Sequence, residues 1–225
     1  MERNAPPDYY AILDIAETAT DQQVRDAYKR AALKTHPDRV AADSPERASR
    51  TRKFQLVNDA YYTLSDSNRR REYDAQRRLF SHSKPGTNQQ DPHDAHDAEP
   101  QDAYSWAWNF FNPPAADRQH AQDEQFGNVF EEMMREQGMA EDDGSNTPTS
   151  RFWAVIGGIS GGALGFILAN IPGMLAGAVA GNRLGAVRDA KGKSVYAVYQ
   201  ELPQSDRAKL LSQLAIRVFS HAAGL

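Results

Sequence analysis

The tripeptide His36-Pro37-Asp38 lies between two stretches of helical periodicity, and no other feature of the chain limits its fold as tightly. Upstream, Thr20-Asp21-Gln22-Gln23 has the form of a capping box, a hydroxyl at the N-cap and an amide three residues later. Behind it Val24, Ala27, Tyr28, Ala31 and Thr35 fall on one helical face, while Arg25, Lys29, Arg30 and Lys34 project from the other side, interrupted by Asp26. Downstream, Phe54, Val57, Ala60, Tyr61 and Leu64 repeat the spacing. Pro37 keeps Thr35 and His36 from carrying the first helix onward. The pattern predicts an antiparallel helical hairpin with the tripeptide in its loop, a carboxylate and an imidazole beside a cationic helix face. Such a surface suits recognition. A polar residue at a loop tip is expected to contribute little to packing.

The surrounding segments carry a resemblance. Asp8-Tyr9-Tyr10-Ala11-Ile12-Leu13, then Tyr28 through Arg39, then Phe54 through Asp66, then Arg71-Glu72-Tyr73-Asp74, occur in this order with the tripeptide at the tip, and together they resemble a J domain over about residues 8 to 78. The resemblance implies a co-chaperone that docks on the ATP-bound form of a 70-kDa heat-shock chaperone and stimulates its ATP hydrolysis. It implies that Asp38, with His36 and Pro37, engages the partner's interdomain linker region. It also implies that Arg25, Lys29, Arg30 and Lys34 meet an acidic partner surface, with Tyr28 at the edge of that face and Arg39 just beyond the tripeptide. The stretch from Arg39 to Arg52 is longer than in compact family members, and Val40 stands where an Asn is common.

Charge is distributed unevenly over the 225 residues. Residues 1–80 carry net +2, residues 81–150 net −11 and residues 151–225 net +5, within an overall −4. The chain has no cysteine, which excludes disulfides, thiolate zinc sites, cysteine nucleophiles and the cysteine-rich zinc region of some J proteins. With no long Gly/Phe-rich linker either, the resemblance is to the class C type. Neither a secretory signal nor an Arg-rich transit peptide is visible at the N-terminus. Enzyme motifs are missing too: there is no GxSxG, no P-loop and no GxGxxG after a strand. His36 and Asp38, across a proline, make no dyad without a nucleophile. The expectation is a non-enzyme with no cofactor and no metal; His93 and His96 among aspartates form only a loose acidic tract. Nucleic acid is not an expected partner for a chain of negative net charge.

Beyond a fourth basic helix at about Asn68 to Arg78, residues 81–150 are expected to form an acidic, mostly disordered linker. Within it lie an aromatic island, Tyr104 to Phe111 with Trp106 and Trp108, and a helical stripe of Phe126, Val129, Phe130, Met133 and Met134. Both could dock on the chain's own folded parts, on a membrane surface or on a client.

From Phe152 to Asn182 no Asp, Glu, Lys or Arg occurs, in a chain of mean hydropathy −0.70. Gly157, Gly161 and Gly165, then Gly173, Gly177, Gly181 and Gly185, recur every fourth residue, which gives one narrow glycine face on which helices approach closely. Asn170-Ile171-Pro172-Gly173 interrupts the run. The simplest expectation is a glycine-zipper hairpin over 151–193, inserted in a membrane. Basic residues at both ends would face the cytosol. Residues 194–225 are expected to form amphipathic helices, one carrying Val195, Val198, Tyr199 and Leu202. A last helix, capped by Ser205, would carry Leu210, Leu211, Leu214, Val218 and Phe219.

The fold class expected is all-α, with a J domain over 1–80. The expected function is a co-chaperone tethered to the cytosolic face of a membrane, with lipid as a partner and the zipper as a route to homo-oligomers. Two alternatives stand beside it. One is a soluble cytoplasmic J protein with a buried zipper for client binding or oligomerisation. The other is a membrane assembly protein regulated by its J domain.

Overall fold

The computed structural model describes residues 6–82, 118–159 and 193–222. Every regular element among them is a helix, apart from one isolated bridge between Ala140 and Pro148. The chain divides into two compact units, residues 1–32 with 51–122 and residues 33–50 with 123–225.

In the first unit, α1 (Tyr9–Leu13) is capped by Asp8, whose side chain accepts from Ala11 N–H. The start of α2 (Asp21–Thr35) is the capping box read from the sequence: Thr20 N donates to Gln23 Oε1 at 2.8 Å and Gln23 N to Thr20 Oγ1 at 3.2 Å. The helix α3 (Glu46–Leu64) supplies Phe54, Val57, Ala60 and Leu64 to a core shared with Tyr9, Leu13, Val24, Ala27 and Tyr28. Each large apolar side chain so enclosed contributes roughly 1.5–3 kcal/mol of burial. A fourth helix, α4 (Ser67–His82), runs beyond the expected Asn68–Arg78. It begins on Asp66, whose carboxylate accepts from Arg69 and Asn68 N–H; the Arg69 contact above all holds it below the usual range.

Tyrosines and arginines fasten α1 to α4. Tyr73 Oη donates to Pro7 O at 2.6 Å and accepts from Tyr9 N at 2.9 Å, and burial raises its pKa well above the ordinary phenol. Tyr10 Oη donates to Asp74 and accepts from Arg70 Nε. Arg70 also reaches the carbonyls of Glu17 and Ala19, and Arg77 pairs with Glu17 at 2.9 Å.

The second unit contains most of α5 (Arg118–Glu136), whose stripe of Phe126, Val129, Phe130, Met133 and Met134 is buried within the chain itself. Gly138, at φ +66°, closes α5: its N–H bonds Arg135 O and Met139 N–H bonds Met134 O, a Schellman ending. A tight loop leads to α6, described over residues 150–159, which buries Phe152, Trp153, Ile156 and Ile159. Ser194 caps α7 (Val195–Glu201), accepting from Ala197 N–H. The last helix, α8 (Gln204–Ala222), begins one residue ahead of the expected Ser205 cap, because the Pro203 carbonyl already accepts from Asp206 and Arg207 N–H. Leu210, Leu211 and Leu214 are buried, while Val218 and Phe219 are half-buried.

Among the described residues no helix is long and apolar enough to cross a membrane. Of the zipper glycines only Gly157 is described, half-buried on α6; Gly161, Gly165, Gly173, Gly177, Gly181 and Gly185 lie outside the described residues, as do the aromatic island and His93 and His96.

Candidate interaction site at the tripeptide

Three features build the loop between α2 and α3. Pro37 opens a single 3₁₀ turn, Pro37–Arg39, for which His36 is the N-cap. The imidazole Nδ1 accepts from Asp38 N–H at 3.1 Å. An accepting Nδ1 carries no proton, in keeping with a His36 pKa lowered to about 4, chiefly by burial. The 3₁₀ turn and the first turns of α3 each send an arginine back to α2. Arg39 Nη1 donates to Leu33 O at 3.1 Å and Arg50 Nη1 to Lys34 O at 3.0 Å, so two cations occupy the C-terminal carbonyls of the helix.

The tripeptide is not an open tip. His36 and Asp38 are each 6% exposed. The His36 ring lies 4.6 Å from Phe126 and meets Tyr199 edge-on at 6.3 Å, in an aromatic cluster with Phe130 and Tyr196. Asp38 divides its two oxygens. Oδ1 accepts from Arg47 Nη2 at 3.2 Å, and Arg47 also donates to Pro37 O. Oδ2 accepts from Tyr199 Oη at 3.1 Å and Arg207 Nη1 at 2.7 Å. Burial and the adjoining carboxylate raise the Tyr199 pKa far above its ordinary value, so it donates as a neutral phenol. Gln204 Nε2 donates to Val40 O at 2.9 Å, and α8 packs directly on the 3₁₀ turn. The expectation that a loop-tip carboxylate contributes little to packing therefore fails: Asp38 is enclosed and paired with two guanidinium groups.

The other expected interaction residues are placed differently from one another. Arg25 and Lys34 are exposed, and Arg30 is half-buried. Lys29 is only 3% exposed, with Asp26 3.9 Å away. Tyr28 is fully buried, stacks on Tyr61 at 4.1 Å and donates to Asn58 Oδ1 at 2.6 Å, so in this conformation it serves the core. Arg39 is half-buried with its guanidinium on the α2 carbonyl.

Sequence reasoning did not single out Arg47, Arg207 or the hydroxyl of Tyr199. Two signals pointed toward them. A tyrosine on an apolar helix face needs a partner for its hydroxyl once buried. An arginine in the first turn of a helix opposes the helix dipole unless an anion offsets it. Among the described residues no group of three or more acidic, histidine or cysteine side chains is arranged to hold a metal ion.

The DnaJ domain family matches residues 8–74. An uncharacterized J domain-containing protein of Schizosaccharomyces pombe is 42% identical over 92% of this chain and 91% of its own length. The chaperone protein DnaJ of Fusobacterium nucleatum is 41% identical over 31% of this chain, and that of Xanthomonas axonopodis pv. citri is 44% identical over 30%. The matched region spans only 18% and 17% of those two bacterial proteins. No solved structure matches the chain.

Proposed function

The chain belongs to the J-domain proteins, and from that membership we propose that it docks on the ATP-bound form of a 70-kDa heat-shock chaperone and stimulates its ATPase. The J domain itself points to a DnaJ-type co-chaperone; the ATP-state docking and the residues that carry it are our reading. The supporting observation is His36-Pro37-Asp38 in the α2–α3 loop of a domain matched over residues 8–74. In this reading Asp38 makes the central contact, and exposed Arg25 and Lys34 steer α2 toward an acidic surface. ATP chemistry stays with the partner, and this chain supplies binding energy that favours its hydrolysing state. Single-turnover hydrolysis by a purified, ATP-loaded 70-kDa chaperone tests the reading. Wild-type chain is expected to accelerate it and Asp38→Asn is not; equal acceleration by both rejects the assignment.

The place of action has two readings. The uncharged run from Phe152 to Asn182 supports a membrane tether that brings the chaperone to the cytosolic face. Burial of Phe152, Trp153, Ile156 and Ile159 at its start supports a segment folded against the protein. Carbonate extraction of a membrane fraction separates them: retention favours the tether and release favours the folded segment.

A further inference from the structure

We propose that the C-terminal helices α7 and α8 act as an intramolecular clamp on the tripeptide, which must be released before a chaperone can bind. The inference rests on the reading of His36-Pro37-Asp38 as the docking site and concerns its regulation. A residue that is 6% exposed offers a partner almost no surface, and both His36 and Asp38 are in that state. His36 also lies against Phe126 of α5, but what covers Asp38 divides cleanly by sequence. The J-domain match, residues 8–74, includes Arg47 and so satisfies one carboxylate oxygen of Asp38. The other oxygen is filled by Tyr199 and Arg207, 161 and 169 residues away along the chain. Gln204 fixes the adjoining Val40 carbonyl. All three clamp residues come from one short stretch, the end of α7 and the first turn of α8.

The clamp is built to exchange. Arg207 sits in the first turn of α8, where a cation opposes the helix dipole, and Asp38 provides the offset. Its Nε is buried with no hydrogen-bond partner among the described residues, a cost that well-settled buried groups seldom carry. The Arg207 side chain is 27% exposed, so on release the guanidinium regains water at little cost. A chaperone that offers Asp38 Oδ2 an equivalent donor substitutes for the clamp instead of having to create a site. Apparent affinity is then the intrinsic affinity reduced by the fraction of chains with the clamp open.

The test uses full-length protein and a purified 70-kDa chaperone loaded with ATP. The concentration giving half-maximal stimulation is measured for wild type, Tyr199→Phe/Arg207→Ala and Asp38→Asn. The double variant is expected to reach half-maximum at a concentration about ten-fold lower than wild type, which corresponds to a clamp of about 1.4 kcal/mol. If it is equal to or weaker than wild type while Asp38→Asn stays inactive, Tyr199 and Arg207 merely orient the carboxylate, and the clamp is rejected. If no form stimulates, the docking-site reading has failed and the clamp falls with it. Because the chain has no cysteine, Val40→Cys/Gln204→Cys can be bridged specifically by a short bismaleimide, and this pair decides the matter should the double variant not fold. Bridging is expected to abolish stimulation that the unbridged pair retains; unchanged stimulation after bridging overturns the proposal.

Discussion

Tyr73 in the first unit and Tyr199 in the second both use a buried hydroxyl to join distant parts of the chain, but they do so under different terms. Tyr73 donates to Pro7 O and accepts from Tyr9 N, so both functions of its hydroxyl are used by backbone groups of the adjoining helix start. Around it Arg70 and Arg77 bond carbonyls and carboxylates of the same N-terminal region. Tyr199 instead joins a carboxylate already paired to Arg47, beside a guanidinium with one buried N–H unanswered. The first junction can be broken only at a loss. The second can be replaced, because any partner that supplies donors to Asp38 restores what it gave. Saturated hydrogen bonding marks a permanent joint, and a buried charge shared between two suppliers marks an exchangeable one.

The largest expected effect on function comes from Asp38→Asn, which attacks the exchangeable junction at its centre. Stimulation of the chaperone ATPase should fall to the basal rate. Contrary to what a loop-tip position suggests, stability to unfolding should fall as well, by about 2 kcal/mol, because two guanidinium groups lose their anion. Both arginines retain partial exposure, which keeps the cost below that of a fully buried pair.

Acidification probes the same junction through His36. Its pKa is depressed from 6.5 to about 4 by burial, so the unfolded chain binds the proton more readily than the folded one. The resulting stability is fully present above pH 6.5 and is lost as pH falls through 6.5 toward 4, a change of about 3 kcal/mol. Chemical denaturation at pH 7 and pH 4.5 should show a steeper loss in wild type than in His36→Gln. Equal losses would mean that the imidazole is not enclosed in solution.

Gly127 tests the aromatic cover. A Cβ there would stand 2.8 Å from two ring carbons of Tyr196, so Gly127→Val must displace that ring. Overpacking of this kind costs about 1–3 kcal/mol, read as a lower denaturation midpoint. Loosening the cover should also lower the chaperone concentration needed for half-maximal stimulation.

The smallest effect belongs to the permanent junction. Tyr73→Phe removes one donor and one acceptor, but Tyr9 N–H keeps its bond to Pro7 O, so the loss is about 1 kcal/mol in thermal or chemical unfolding. Half-maximal stimulation should stay at its wild-type value. A shift there would show that the two junctions are coupled and would blur the distinction between them.

How much of this was legible in sequence follows from the range of the interactions. The capping box at Thr20, the stripe from Phe126 to Met134 and the short helix after Ser194 depend on residues within a few positions, and each is found where the pattern put it. The all-helical class follows from the same periodicities. Lys29 shows where periodicity stops: its place on a helix opposite the apolar stripe suggested solvent, yet it is enclosed. The partners of Asp38 were illegible for a related reason. Contacts across 161 and 169 residues leave no spacing to read; a first-turn arginine and a tyrosine on an apolar face each signal a need for a partner, but not which one. Even the start of α8 differs from the Ser205 cap read in sequence, because the Pro203 carbonyl takes the first helical bonds.

Amide hydrogen exchange on the full-length protein, with and without ATP-loaded 70-kDa chaperone, tests the central claim most directly. Free protein should show protection in α7 and the first turns of α8, and protection at Val40, whose N–H bonds Pro37 O. Chaperone binding should strip protection from residues 195–211 while leaving α1 and α4 unchanged. Binding that leaves 195–211 as protected as before, or more so, would contradict the account, because the tripeptide would then be engaged without release of the helices that cover it.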